Sequence, residues 1–392
     1  MGCIVKIVQT KRQKNDFVGL PRKIYEGNPY YVPDMEIDVR RWFDPKYNPG
    51  LQHSEVVPFV AYNEDDEPVG RIVGIINHKA NQIWKGSCVR FGWIEFVDDP
   101  DVSCALLKAV EEWGRSKGMD SIQGPLGISD FDKEGMLVED FDKLGSAITI
   151  YNPPYYPKHM ALHGYGKEVD WVQVKLELPE EVPARFARVR TLVEDMYGLK
   201  VKKLTPHEVF QEGYGRKIFK LLNEAYSQLF GYTPHSEEEA DAFVAQYIRM
   251  LDLRMLPMVE DNKGNLVACS ITMPNLARAL QKSSGRLFPL GWYHLLRALK
   301  FKHEDEVELL LIAVHPEWQA LGINSLLFAD LVPIFREKGF RWAETGPMLE
   351  NNMKVLTQWK EFNHIVYKRR RCFSKEINPS FDSSVEKKGN NP

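Results

Sequence analysis

Cysteine is sparse in this chain and never clustered. The five residues, Cys3, Cys88, Cys104, Cys269 and Cys372, include no CxxC pair. That excludes zinc-ribbon and thioredoxin-type motifs and leaves reduced thiols, as expected of a cytoplasmic protein. The ten histidines show no metal-ligand spacing, so no metal is expected. His159 and His163, four residues apart, are expected on a helix surface. No window approaches eighteen consecutive apolar residues, so no membrane span is expected. The opening MGCIVKIVQTKRQKNDF has an apolar stretch too short for a signal peptide, and Lys6 stands where a myristoylation signal carries Ser or Thr. Positive charge is not in excess either. The 51 Lys and Arg against 54 Asp and Glu give a net charge of −3, with no electrostatic reason to expect a nucleic-acid partner. The one dense basic run, Lys368-Arg369-Arg370-Arg371, falls in a strand-like stretch and is expected on a solvated sheet edge.

What is present is length and a repeated order of elements. The 392 residues exceed one ordinary core and imply two domains; 44% hydrophobic and 27% charged residues are those of a globular protein. A strand over residues 1–9 and a short helix over 17–25 precede a hairpin (59–62 and 69–76), a strand (90–97), a helix (101–117) with acidic residues at its start, and a strand from Ser121. After Glu177-Leu178-Pro179 the order returns: helices over 183–197, 214–229 and 237–251, a hairpin around Asp261-Asn262-Lys263-Gly264-Asn265, a strand over 307–314, a helix from Ser325 and a strand over 341–345. A local echo accompanies it. Arg115-x-Lys117-Gly118 leads to Gly124-Pro125-Leu126, and Arg336-x-Lys338-Gly339 leads to Gly346-Pro347-Met348. The chain is therefore read as α/β, with halves at residues 1–178 and 179–377 and a polar, disordered tail over 378–392.

The strand 307–314 runs through His315 and Pro316 into Gln319-Ala320-Leu321-Gly322-Ile323-Asn324, and a helix follows from Ser325. A strand entering a helix through a glycine turn leaves backbone N–H groups without partners at the positive end of the helix dipole, which suits a phosphate. Gln319-x-x-Gly322-x-Asn324 in this setting resembles the pyrophosphate loop of the GNAT N-acyltransferases. Asn324 replaces the usual final small residue, and Asn is expected to tolerate a left-handed conformation there. The repeated order also resembles the GNAT core twice over, implying two tandem GNAT-like domains, each a mixed, mostly antiparallel sheet flanked by helices. A closer likeness, to bacterial tandem-GNAT proteins of similar length, lies in Gly124 to Phe141, Tyr151-Asn152-Pro153-Pro154-Tyr155-Tyr156, Gly285-Arg286-Leu287-Phe288-Pro289 and the loop at 315–324.

The resemblance implies acetyl-CoA or another acyl-CoA as co-substrate of the second half. Gln319, Ala320, Leu321, Gly322, Ile323, Asn324 and Ser325 would hold its pyrophosphate, Ala313 and Val314 its pantetheine arm, and Asn352 would open the next helix. The Tyr expected seven residues on is Trp359, which cannot act as an acid. The equivalent crossing in the first half carries Asp98, Asp99 and Asp101, which would repel a pyrophosphate. Amine attack on a thioester needs orientation and removal of one proton. Glu308, with Glu306 beside it, and Glu344 are the candidate bases; Tyr367 is a candidate acid if the last strand folds back. The acceptor is expected to be a small-molecule amine or a peptide. Phe288, Trp292 and Tyr293 are expected to pack on the first half or line an acceptor pocket, and Tyr151, Tyr155 and Tyr156 to border an interdomain cleft. The turn, taken as exposed, predicts that Gly322→Val abolishes CoA binding with the fold intact. Two other readings remain open: a Fem-type aminoacyl transferase and a non-catalytic acyl-CoA or metabolite binder.

Overall fold

The computed structural model describes residues 2–377; the expected disordered tail lies outside the described residues. In the first half, apolar alternation forms β1 (Ile4–Ile7), β2 (Ser54–Tyr62), β3 (Pro68–Asn77), β4 (Cys88–Phe96), β5 (Ser121–Gly124), β6 (Met136–Leu137) and β7 (Gly166–Glu177). The second half supplies β8 (Lys200–Lys202), β9 (Met258–Glu260), β10 (Leu266–Pro274), β11 (Glu306–Val314), β12 (Trp342–Thr345), β13 (Met348–Leu349) and β14 (His364–Glu376). Helices flank the strands, as the resemblance implies.

The described strands form one fourteen-stranded sheet. Its main path is β1-β2-β3-β4-β5-β14-β7-β12-β11-β10-β9-β8, with β6 on β14 and β13 on β7. Neighbours run antiparallel except β4–β5 and β11–β12, the pairs joined through a helix. The centre of the path is an exchange. The last strand of the second half, β14, pairs with β5 of the first half, and β7 of the first half pairs with β12 of the second. β14 and β7 then pair with each other across the seam. The sheet thus crosses residue 178 without a break.

This exchange corrects the expectation for the basic run. It lies on a central strand and not on a solvated edge. Lys368 is 3% exposed and Arg370 1%. Lys368, at φ 51°, sits in a bulge between Tyr367 and Arg370 that turns both side chains into the seam. Arg370 donates to Gln173 Oε1 (3.0 Å), Thr149 Oγ1 (2.8 Å) and the Ile150 carbonyl. Burial lowers its guanidinium to about 10, leaving it cationic at neutral pH. The paired histidines differ from expectation too. His159 is buried; its ring nitrogens lie 2.9 Å from Ser103 Oγ and 3.0 Å from Asp98, and His163 shares the same hydroxyl at 2.7 Å.

Candidate active site

The site is built where β11 and β12 part. β11 pairs with β10 from Val307 to Val314, but with β12 only from Glu306 to Leu309. The Gly346 amide closes that pairing on the Leu309 carbonyl (2.8 Å), and a Cβ on Gly346 would lie 2.8 Å from the Leu310 carbonyl oxygen, so only glycine fits there. Pro347 then carries the chain away. From Leu310 to Val314 one edge of β11 faces open space instead of a strand. Two of its carbonyls are met by side chains, Ile312 by the Tyr226 hydroxyl (3.0 Å) and Val314 by Gln319 Nε2 (3.2 Å).

That edge forms part of a cleft of about 1990 Å³ lined by both halves. The turn after β11 opens on it. Ala320 (φ 65°) and Gly322 (φ 82°) take the left-handed conformations, correcting the expectation for Asn324. Asn324 instead begins the helix Asn324–Glu337. Its side-chain amide donates to Gln358 Oε1 (2.7 Å), while its Oδ1 is buried without a partner. The Ser325 and Leu326 amides are occupied by the Gly322 and Ile323 carbonyls (2.9 and 3.0 Å), whereas the amides from Ala320 to Asn324 have no acceptor among the described residues. The donors left free therefore fall within the expected span but do not include Ser325.

Val314, Gln319, Ala320, Gly322 and Ile323 line the cleft, with Asn324 and Ser325 beside them and Asn352 on the facing wall. Ala313 is buried in the core, and Leu321, 38% exposed, points away from the cleft. Asn352 caps the short helix Met353–Thr357. Trp359 is 2% exposed, with Nε1 3.3 Å from Met348 Sδ and its ring against Phe328. It is a packing residue in the cleft wall. A Cβ on Gly322 would lie 2.6 Å from Val189 Cγ1 of the helix Ala184–Tyr197. A valine there would strain the fold as well as block a ligand, which corrects the expectation that Gly322→Val spares the fold.

The three acid–base candidates lie behind the wall, where the halves exchange strands. Glu308 on β11 stands directly across from Glu344 on β12. Glu344 is held through one oxygen, its Oε1 accepting from Lys368 Nζ (2.7 Å) and Gln173 Nε2 (2.8 Å). Glu308 is 1% exposed; neither carboxyl oxygen has a partner at hydrogen-bond geometry, and the Ser146 hydroxyl is the polar group beside it. Burial, and then the Glu344 charge, push it up to about 8, so it holds its proton at neutral pH. Tyr367 is raised far above the ordinary phenol value by burial and by Glu344. The structure brings Glu308, Glu344 and Tyr367 together, yet none of them lines the cleft; their neighbours Leu309 and Thr345 do.

Three acids that the sequence reading did not place in the site do face the cleft: Asp130, Asp132 and Glu134, in the loop after β5. Asp132 accepts from the Ile128 amide and Trp42 Nε1 (2.7 Å each). Asp130 is pushed up to about 7 by burial, and its Oδ1 is sequestered with no partner. Glu134 is raised well above its ordinary value by burial and then by Asp130. They fall in the stretch Gly124 to Phe141 that carries the likeness, where the acidic density DFDKE by itself is one that solvated loops share.

The first half has the same parting of strands, β4 pairing with β5 only from Cys88 to Arg90. There the open edge is filled from within. The Tyr155 hydroxyl donates to the Phe96 carbonyl (2.6 Å), the Phe96 amide donates to the Tyr156 oxygen (2.8 Å), and the Tyr156 ring stacks on Phe96 at 4.0 Å. Tyr151, Tyr155 and Tyr156 thus seal the first half and do not border the cleft, contrary to expectation. Phe288, Trp292 and Tyr293 neither pack on the first half nor line the cleft; all three are exposed.

No family model matches the sequence. Among curated proteins it is 26% identical over 386 residues to Protein YghO of Escherichia coli (strain K12), covering 95% of each chain. It is 26% identical over 375 residues to a bacterial ceramide synthase of Caulobacter vibrioides, covering 94% of this chain and 96% of that one. Among solved structures, a tandem GNAT protein from the clavulanic acid biosynthesis pathway superposes with a TM-score of 0.54 at 13% identity, over 97% of this chain and all of the other. The protein is a tandem GNAT-fold protein.

Proposed function

We propose that the protein is an N-acyltransferase that takes an acyl group from a CoA thioester held by its second half and delivers it to an amine. The observation that carries this reading is the continuity of the open β11 edge with the Gly322 turn along one cleft wall. The residues fit such a ligand. Free amides from Ala320 to Asn324, at the start of a fourteen-residue helix, suit a diphosphate. The edge from Leu310 to Val314 suits an extended arm that carries amide groups, joined by main-chain hydrogen bonds. A CoA thioester supplies the activated acyl group. Asp130 and Glu134 lie in the same cleft with raised values, so either can take a proton from an amine acceptor that reaches them. Among the three acid–base candidates Glu308 is the one with a value near the working range of a proton carrier, about 8. Its proton would reach the cleft only through a bridging group.

The finer reading is that both substrates carry long chains. The cleft of about 1990 Å³ is roughly twice the upper end of ordinary small-ligand sites. Beyond the thioester position its walls are apolar, with Met273, Leu276, Leu280, Leu295 and Leu299 among them. A ceramide, the product named for one relative, is the amide of a long-chain acid and a long-chain amino alcohol, which this shape suits.

Ala320 offers the cleanest test, because it is exposed and already left-handed. Ala320→Glu places a carboxylate at the turn without touching the core. Titration calorimetry should show CoA affinity falling at least about tenfold, the effect of about 1.4 kcal/mol of repulsion. Unchanged affinity would remove the turn from the site. Release of free thiol from long-chain acyl-CoA with a long-chain amine, faster than with acetyl-CoA, tests the finer reading.

A further inference from the structure

The helix Gly291–Lys300 borders the cleft and faces solvent along adjoining strips of its surface. Leu295 and Leu299, with Leu287 just ahead, line the cleft. On the outer side Trp292, Tyr293 and Leu296 are 46%, 47% and 43% exposed. Phe288 and Phe301, at the two ends, reach 73% and 78%, and Leu290 is 61% exposed. Single exposed apolar residues are ordinary, but six large ones within one short segment form a patch of the kind that marks an interaction surface.

Cations predominate around the patch, although the exposed Glu304 and Asp305 follow its end. No residue from 262 to 303 is acidic, in a chain whose overall net charge is −3, while Arg278, Lys282, Arg286, Arg297, Lys300 and Lys302 fall within that stretch. Arg286 is paired with Glu36 at 3.1 Å, and Lys300 reaches the Leu251 carbonyl at 3.5 Å. Lys282, Arg297 and Lys302 are exposed. The Lys300 contact also sets the helix end beside Met250, which lines the cleft and is 46% exposed, so the patch continues to the rim of the cleft.

We propose that this helix seats the protein on a lipid bilayer carrying anionic headgroups, with the rim of the cleft against the membrane. Aromatic rings, leucines and cations on one face match an interface where acyl chains, headgroup dipoles and negative phosphates lie within a few ångströms of depth. A second copy of the chain fits worse, since a two-fold contact would set this basic face against itself. The seating gives water-insoluble substrates a direct route into the apolar part of the cleft. It needs neither CoA nor turnover, so it stands or falls apart from the acyltransferase reading.

The experiment is co-sedimentation of the full chain, without CoA, with vesicles of phosphatidylcholine containing phosphatidylglycerol and with vesicles of phosphatidylcholine alone. The chain should pellet with the mixed vesicles, at least about tenfold more strongly than with the neutral ones, and salt should release it. Arg297→Gln with Lys302→Gln should weaken binding about fivefold per cation. Trp292→Ser with Phe301→Ser should weaken it at least as much, and both pairs should keep the wild-type melting temperature because the side chains are exposed. A wild-type chain that stays in the supernatant overturns the proposal, as do variants that bind equally well. A dimer in sedimentation velocity that Trp292→Ser with Phe301→Ser dissociates, with no vesicle binding, would assign the patch to self-association and overturn it too. Lost vesicle binding beside intact CoA binding sinks this inference alone, and the reverse sinks only the acyltransferase reading.

Discussion

Replacing Glu308 by Gln isolates the proton that the strand exchange buries. The side chain is 1% exposed, and burial, then the Glu344 charge, lift the carboxyl from its ordinary 4.5 to about 8 against the smaller opposing effect of the Ser146 hydroxyl. Between those values the unfolded chain carries an ionised Glu308 and the folded chain a protonated one. The folded state therefore binds the extra proton, and stability falls as pH rises across the interval. At 1.36 kcal/mol per pH unit the interval amounts to about 5 kcal/mol, an appreciable part of the stability of most domains. Glutamine does not titrate. The variant should therefore lack this loss, and its stability relative to wild type should climb by about 1.4 kcal/mol per pH unit up to about pH 8. Urea unfolding of both chains at a series of pH values gives the difference directly, and groups common to both cancel. A difference that stays flat with pH would mean that Glu308 is ionised in the folded protein, and the argument from its burial would fail.

Gly322→Ala should cost about 2 kcal/mol, from a left-handed φ and a Cβ only 2.6 Å from Val189 Cγ1. In thermal unfolding Val189→Ala should restore the steric part and leave the conformational part. Residues 1–178 expressed alone should fail to give a soluble folded chain by gel filtration and circular dichroism, because β5 and β7 both lose β14; a well-folded fragment would refute the importance of the exchange. Asp99→Ala should leave CoA affinity unchanged by calorimetry, since the first-half edge is filled by Tyr155 and Tyr156, while costing about 1 kcal/mol as a lost helix cap. A second bound CoA in any form of the protein would contradict that asymmetry.

Local pattern was enough wherever structure depends on near neighbours in sequence. The apolar run of β11, the turn at Gly322 and the helix after it were legible because periodicity and glycine placement are local properties. Gln319 and Gly322 of that segment line the cleft. The left-handed positions were less legible. Asparagine suits such angles better than alanine by residue type, yet Ala320 takes one while Asn324 is helical with its side chain on Gln358, thirty-four residues on.

The basic run was misread for a related reason. A cation on a strand belongs in water unless distant groups meet it, and those groups, Gln173, Thr149 and Ile150 for Arg370 and Glu344 for Lys368, come from elsewhere in the chain. The sequence by itself determined many of the elements, their repeated order and the glycine turn after β11, though not β7 or the helix Gly291–Lys300, because dihedral preference and hydrophobic period act over a few residues. Only the tertiary structure decided that the halves trade their last strands, that this buries a protonated Glu308 next to a paired Glu344, and that one cleft runs from the turn to an exposed aromatic helix. Strand partners and burial depend on residues more than a hundred positions apart, and a linear pattern does not encode them.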